Sequence, residues 1–190
     1  MTNTLPGIRH TFAHLSTGLV LLGVAGLTAC ANPTPGRVVE ATGTSTPAIA
    51  PAASTPSTAR IGGQAYRFDD GVTVNVKPLA RFTPSSTAFG SKPGHVGIIV
   101  TVTVTNGTAA TYDASLTQVH LSAGADGTQA DAITDIERGI GGGLTGSVAP
   151  GRSLTAKYAF SVAPADLKSI AVEVVPDFTH AGVIFVGALR

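Results

Sequence analysis

The sequence predicts an all-β chain whose folded part is an antiparallel two-sheet sandwich of immunoglobulin type. Three observations lead there. Apolar and polar residues alternate in several separate segments, Gly-containing turn dipeptides punctuate those segments, and helical patterning is confined to one short stretch at Pro164-Ala165-Asp166-Leu167. Successive side chains of a strand point to opposite faces, so a period of two marks a ribbon with one face in a core.

In chain order, the turn signal Asp69-Asp70-Gly71 introduces Val72, Val74 and Val76, which alternate with Thr73, Asn75 and Lys77. The longest alternation sets Val96, Ile98, Val100, Val102 and Val104 against Gly97, Ile99, Thr101, Thr103 and Thr105, which predicts a central strand. Leu154, Ala156, Tyr158, Phe160 and Val162 face one way in a further strand, and Ile170, Val172 and Val174 form another. The apolar run Val183-Ile184-Phe185-Val186-Gly187-Ala188-Leu189 predicts a strand with a partner on each side. Asn106-Gly107 and Asp126-Gly127 supply the positive φ angles of tight hairpins, and Pro150-Gly151 suits a type II turn. Short strands at this spacing argue for a sandwich, with a closed barrel as the alternative that periodicity does not separate.

The N-terminus carries an address. Arg9, His10 and His14 precede the apolar run Leu19 to Leu27, and Leu27-Thr28-Ala29-Cys30 follows it with the only cysteine of the chain. This stretch resembles the bacterial lipobox. The resemblance implies a signal peptide over residues 1–29 read at Leu27, Thr28 and Ala29, cleavage before Cys30, and a diacylglyceryl group on the Cys30 thiol. The mature protein would then sit lipid-anchored on the extracytoplasmic face of the cell membrane. A spanning helix needs about 20 apolar residues, more than the run provides. Two acyl chains hold where one holds only marginally.

Residues 30–60 shift to Pro, Ser, Thr and Ala and are expected to form a disordered tether, reaching from about 30 Å as a coil to about 90 Å as polyproline II. One domain is expected over 61–190. A single cysteine makes no internal disulfide, so that domain depends on burial and hydrogen bonding. Once the signal with its Arg9 is removed, Lys plus Arg and Asp plus Glu balance at eleven each, and no basic cluster stands out. That balance argues against a nucleic-acid partner and against a polybasic membrane patch.

Motifs for chemistry fail one by one. Gly141-Gly142-Gly143-Leu144-Thr145-Gly146 matches the spacing of a dinucleotide loop, but no helix can follow it through Ser147 to Gly151. It is expected to be a flexible loop. His95, His120 and His180 share no ligand spacing and are expected to be solvated or capping, with His120 pointing outward. Asp126, Asp131, Asp135 and Glu137 lack the alternating oxygens of a calcium loop and read as a solvated acidic edge. Asn106-Gly107-Thr108 fits a glycan acceptor but reads better as a turn. Phe82 and Phe89, flanking Pro84 to Thr87, are expected to expose an apolar patch. No catalytic residue, metal site or cofactor is expected.

Residues Val100 to Asn106, Tyr112-Asp113, the Asp126-Gly127 hairpin, and Val148-Ala149-Pro150-Gly151-Arg152-Ser153 leading into Tyr158 to Pro164 carry a wider resemblance. Together they look like the immunoglobulin-like domain of unknown function found in actinobacterial and firmicute lipoproteins, similar in fold to a small secreted mycobacterial immunogenic protein. The resemblance covers roughly 61–190 and implies an extracytoplasmic Ig-like sandwich. The expected role is non-enzymatic binding of a protein or envelope component, with an accessory solute- or metal-binding role as the alternative.

Overall fold

A computed structural model describes residues 36–40 and 57–189 of the chain. The first sheet runs β1 (Gly36–Glu40), β3 (Gln64–Phe68), β4 (Thr73–Val76), β6 (Val96–Thr105), β12 (Ser153–Val162) and β10 (Asp131–Ile133), with β5 (Ala80–Phe82) paired to the start of β6. The second runs β2 (Ser57–Arg60), β14 (Val183–Gly187), β13 (Ile170–Val175), β8 (Gln118–Ala123) and β9 (Thr128–Gln129). A short ribbon pairs β7 (Tyr112–Asp113) with β11 (Ser147–Val148). The protein is a two-sheet β-sandwich.

Alternation places the core as expected. Val74, Val76, Val100, Val102, Val104, Tyr66, Phe68 and Phe160 of the first sheet are buried in one cluster with Leu121, Val172, Val174, Val183 and Phe185 of the second. Each such side chain contributes ~1.5–3 kcal/mol relative to exposure. β6 and β12 pair antiparallel from Val96↔Val162 to Thr105↔Ser153, which locks their apolar residues onto the same face. On the opposite face, hydroxyl pairs bridge the two strands, Thr103 with Thr155 at 2.8 Å and Thr105 with Ser153 at 2.7 Å.

Three expectations need correction. The sheets are mixed, because β2 joins β14 in parallel while β13 covers its other side. The terminal run thus has a partner on each side, and its backbone groups are satisfied across both edges. The segment expected as a tether also contains two strands: β1 pairs with β3 through Gly36↔Phe68 to Glu40↔Gln64, and β2 pairs with β14. Averaged composition hid the β-branched Val38-Val39 pair, and pairing with a sheet edge decides strand formation where local polarity does not. Residues 31–35 and 41–56 of the expected tether, and the signal peptide with Leu27, Thr28, Ala29 and Cys30, lie outside the described residues.

The third correction concerns Asn106-Gly107, which makes no tight hairpin. The chain leaves β6 here for β7, so no adjacent strand waits to be paired. Asn106 is instead fully buried. Its amide donates to the carbonyls of Ala110 and Val148, both at 2.7 Å, and its oxygen accepts from the Thr108 N–H at 2.9 Å and hydroxyl at 2.8 Å. Asn106→Ala removes the side-chain donor to the Val148 carbonyl, while the Ala110 carbonyl keeps the Thr108 hydroxyl at 2.9 Å, and is expected to cost ~1–3 kcal/mol, read as a lowered urea midpoint at unchanged slope. The other two turns form as expected. Gly127 (φ 63°) sits in the β8–β9 hairpin, and Gly151 (φ 72°) follows Pro150 in a turn closed by the Arg152 N–H on the Ala149 carbonyl.

Candidate functional site

Two loops of the first sheet are fastened to each other. One, residues 83–95, leads from β5 into β6, and the other, residues 134–146, leaves β10. Asp135 joins them. Its carboxylate, buried within the loops, accepts the Ser85 N–H at 2.7 Å, the Ser85 hydroxyl at 2.8 Å and the Arg138 N–H at 3.2 Å. Burial opposes its ionisation, but these donors and the nearby Arg138 guanidinium outweigh that and hold the carboxyl below its usual range. Phe89 and Thr134 exchange backbone hydrogen bonds at 2.8 and 2.9 Å, Thr87 donates to Glu137, and Lys92 pairs with Asp131. Beneath them Ile133, Ile140 and Ala159 form a small apolar cluster with Phe82 packed against it.

This fastening holds two large apolar side chains in water. Phe89 is 82% exposed and Ile136 is 79% exposed. Phe89 therefore stands where the sequence placed it, whereas Phe82 turns inward. The Gly-rich stretch is also less free than its composition suggests. Leu144 is buried and its N–H donates to the Tyr158 hydroxyl at 3.1 Å, while Ile140 is buried beside Asp135. A cavity of ≈ 190 Å³ lies under Gly141 to Gly143, lined by Ile133, Ile140, Tyr158 and Phe160.

A second polar group sits at the end of the sandwich beyond the Asp69 to Gly71 turn. His180 is 6% exposed, with Nδ1 at 2.8 and 2.9 Å from the two Asp177 oxygens and Nε2 at 3.0 Å from Asp70. Ionised carboxylates only accept, so both bonds form together only when both ring nitrogens carry protons. The ring packs edge-on against Phe68 at a centroid distance of 4.4 Å and against Tyr112 at 6.2 Å. For Asp177, burial opposes ionisation, yet donors on Thr179 and His180 prevail and hold it down to about 2. Burial, then Asp177, pushes the Tyr112 phenol up, and its hydroxyl is the buried side-chain oxygen left without a hydrogen-bond partner among the described residues.

The group does not have the geometry of an acyl-transfer triad. There a hydroxyl nucleophile faces the ring nitrogen opposite the orienting acid. Here Asp70 occupies that side. The arrangement ties a turn of the first sheet to the β13–β14 loop of the second, which is a structural task.

The remaining sequence candidates disperse. His95 and His120 are exposed, and His120 lies opposite Glu173 on the outer face of the second sheet, as expected of solvated histidines, whereas His180 is buried. The acidic edge also breaks up: Asp126 is exposed on the hairpin, Asp131 is engaged by Lys92, and Asp135 is buried. Among the described residues no three His, Cys, Asp or Glu side chains gather where a metal ion could sit. A usable signal was present for the buried histidine. Asn106-x-Thr108, Asp113-x-Ser115 and Asp177-x-Thr179 share one pattern, and in each the first side chain accepts from the N–H two residues on.

No protein-family model matches the chain, and no curated protein matches it. Solved structures are similar to it. The yjhA protein of Bacillus subtilis aligns with a TM-score of 0.53 at 12% identity, covering 69% of this chain and 99% of that one. The ycdA protein of Bacillus subtilis, a proposed lipoprotein, aligns at a TM-score of 0.48 and 17% identity over 63% of this chain, which spans only 37% of ycdA. MPT63, a secreted protein of Mycobacterium tuberculosis, aligns at 0.44 and 16% identity over 72% of this chain and 99% of its own. The likeness to yjhA is one of fold, and in fold alone this chain is similar to that protein.

Proposed function

We propose that this protein is a lipid-anchored, extracytoplasmic module that binds another protein or an envelope component and performs no catalysis of its own. The observation that carries the reading is the pair of loops fastened by Asp135, which display Phe89 and Ile136 at 82% and 79% exposure. Apolar side chains held in water on ordered loops cost little further ordering when a partner covers them. The lipobox at Leu27-Thr28-Ala29-Cys30 supports the anchored, exported setting.

A photoreactive residue at position 89 in intact cells is expected to yield one discrete adduct that disappears on Ile136→Asp. The same adduct from position 155, on the hydroxyl-rich sheet face, would overturn the assignment. Cys30→Ala is expected to abolish lipid labelling and to release the protein or leave it unprocessed. Unchanged migration and membrane retention would overturn the anchor.

One observation favours the solute-binding alternative: a cavity of ≈ 600 Å³ lined by Ile61, Pro78, Leu79, Val186 and their neighbours. Its test is a saturable rise in melting temperature with envelope glycans or lipids, abolished by Leu79→Trp.

A further inference from the structure

We infer that the end of the sandwich carrying Phe178 rests on the lipid surface. This rests on the anchored reading above and replaces the picture of a domain held far out on a long tether. The argument begins with β1. Gly36 pairs with Phe68, so the chain enters the sandwich at the end marked by the Asp69 to Gly71 turn. Six residue steps separate Cys30 from Gly36, a reach of at most about 20 Å even when fully extended. A lipid on Cys30 therefore holds that end of the domain close to the bilayer.

Several segments gather at the same end. Gly71 and Gly107 meet backbone to backbone, since a Cβ on either would strike the other's carbonyl oxygen. His180 binds Asp70, bringing in the Asp177 to His180 loop, and the Thr117 hydroxyl donates to the Pro176 carbonyl at 3.0 Å, bringing in the Ala114–Leu116 turn. Among what this end exposes are large and small apolar groups. Phe178 is 79% exposed, Leu116 is 39% exposed, and Ala109 and Ala110 are exposed beside them in sequence order between Gly107 and Tyr112.

Phe178 does not wave freely. Its neighbour Asp177 accepts from the N–H groups of Thr179 and His180 at 2.7 and 3.0 Å, which fixes the loop backbone on both sides of the ring. Apolar groups of interfacial segments sit about 5–10 Å into the headgroup and acyl boundary, a depth one aromatic ring on a loop tip can reach. Nearby charges are of both signs, Arg67 and Arg152 with Asp69 and Asp113, so apolar contact rather than a basic patch accounts for the docking. The contact is accordingly expected to resist added salt.

The chain contains no tryptophan, so Phe178→Trp introduces a single indole at an exposed position. The full-length product, purified with its own lipid and placed in phosphatidylethanolamine and phosphatidylglycerol vesicles bearing brominated acyl chains, is expected to show blue-shifted emission that the bromines quench. Phe89→Trp in the same vesicles is expected to stay red and unquenched. An unquenched indole at position 178 on protein whose mass includes the Cys30 lipid would overturn the docked pole and leave the anchor standing. A blue shift that grows with protein concentration without quenching would assign that pole to a second copy and also overturn it. A mature mass without lipid would overturn both readings.

Discussion

His180→Ala is expected to lower the stability of the domain by ~3 kcal/mol, because it empties the space beside Phe68 and takes away the ring donor of the buried Asp177 carboxylate. Asp177 is almost as buried as the ring it binds, at 8% against 6% exposure, and it would be left facing the empty space beside Phe68 and Tyr112. Urea unfolding at neutral pH measures the loss. A loss below about 1 kcal/mol, the scale of one ordinary hydrogen bond, would show that water replaces the ring at no great cost. The double variant Asp177→Asn with His180→Phe is expected to recover part of the loss, since it removes the charge along with its partner and keeps an aromatic against Phe68.

The same site sets an acid limb on stability. Asp177 is held at about 2, below the ordinary carboxylate value, so its contribution is fully present above that ordinary value and is lost as pH falls through it toward about 2. Allowing for partial solvent screening, this amounts to ~1–2 kcal/mol across that window. Melting temperature against pH is expected to fall between about pH 4 and pH 2, and the fall should be shallower in His180→Ala, which has already lost one of the bonds that hold Asp177 down.

Why the sequence revealed the strands but not these groups follows from the range of each signal. β4, β6, β12 and β13 announce themselves because alternation is local and each residue's face follows from its neighbour's, and β14 announces itself as an unbroken apolar run. The Asp126-Gly127 and Pro150-Gly151 turns are legible for the same reason: positive φ is a property of the residue that occupies it. The polar groups depend on distance along the chain. Asp135 meets Ser85 across 50 residues, Asn106 meets Val148 across 42, and His180 meets Asp70 across 110. Alternation and turn chemistry assign a polar residue to solvent unless a partner is known, so Asp135 and His180 read as exposed and Asn106 as a hairpin residue. β1 was hidden by the opposite effect. Its few β-forming residues lie in a stretch whose average composition is that of a coil, and the free edge of β3 that recruits it is a tertiary fact.

Asp135→Asn is expected to weaken partner binding by about tenfold to hundredfold while leaving Phe89 and Ile136 in place, since loosening two loops restores ordering costs of about a kcal/mol for each side chain immobilised on binding. An amide cannot accept at both of its terminal atoms. With the amide nitrogen towards the Ser85 N–H, the 2.7 Å bond breaks; with it towards the Ser85 hydroxyl, the amide donates to that oxygen but the Arg138 N–H loses its acceptor at 3.2 Å, so in either orientation one backbone N–H is left without its bond. Amide hydrogen exchange gives the structural readout: protection at Phe89 and Thr134, whose N–H groups bond each other's carbonyls, should fall. Exchange in β6 and β12 should not change, because those strands are paired independently of the loops. The Phe89→Ala variant separates position from contact. It is expected to lose adduct formation with exchange at Thr134 unaltered, whereas Asp135→Asn should lose both. Binding retained in Asp135→Asn with fast exchange at Thr134 would mean that the partner orders the loops itself, and the fastened pair would then carry no part of the recognition.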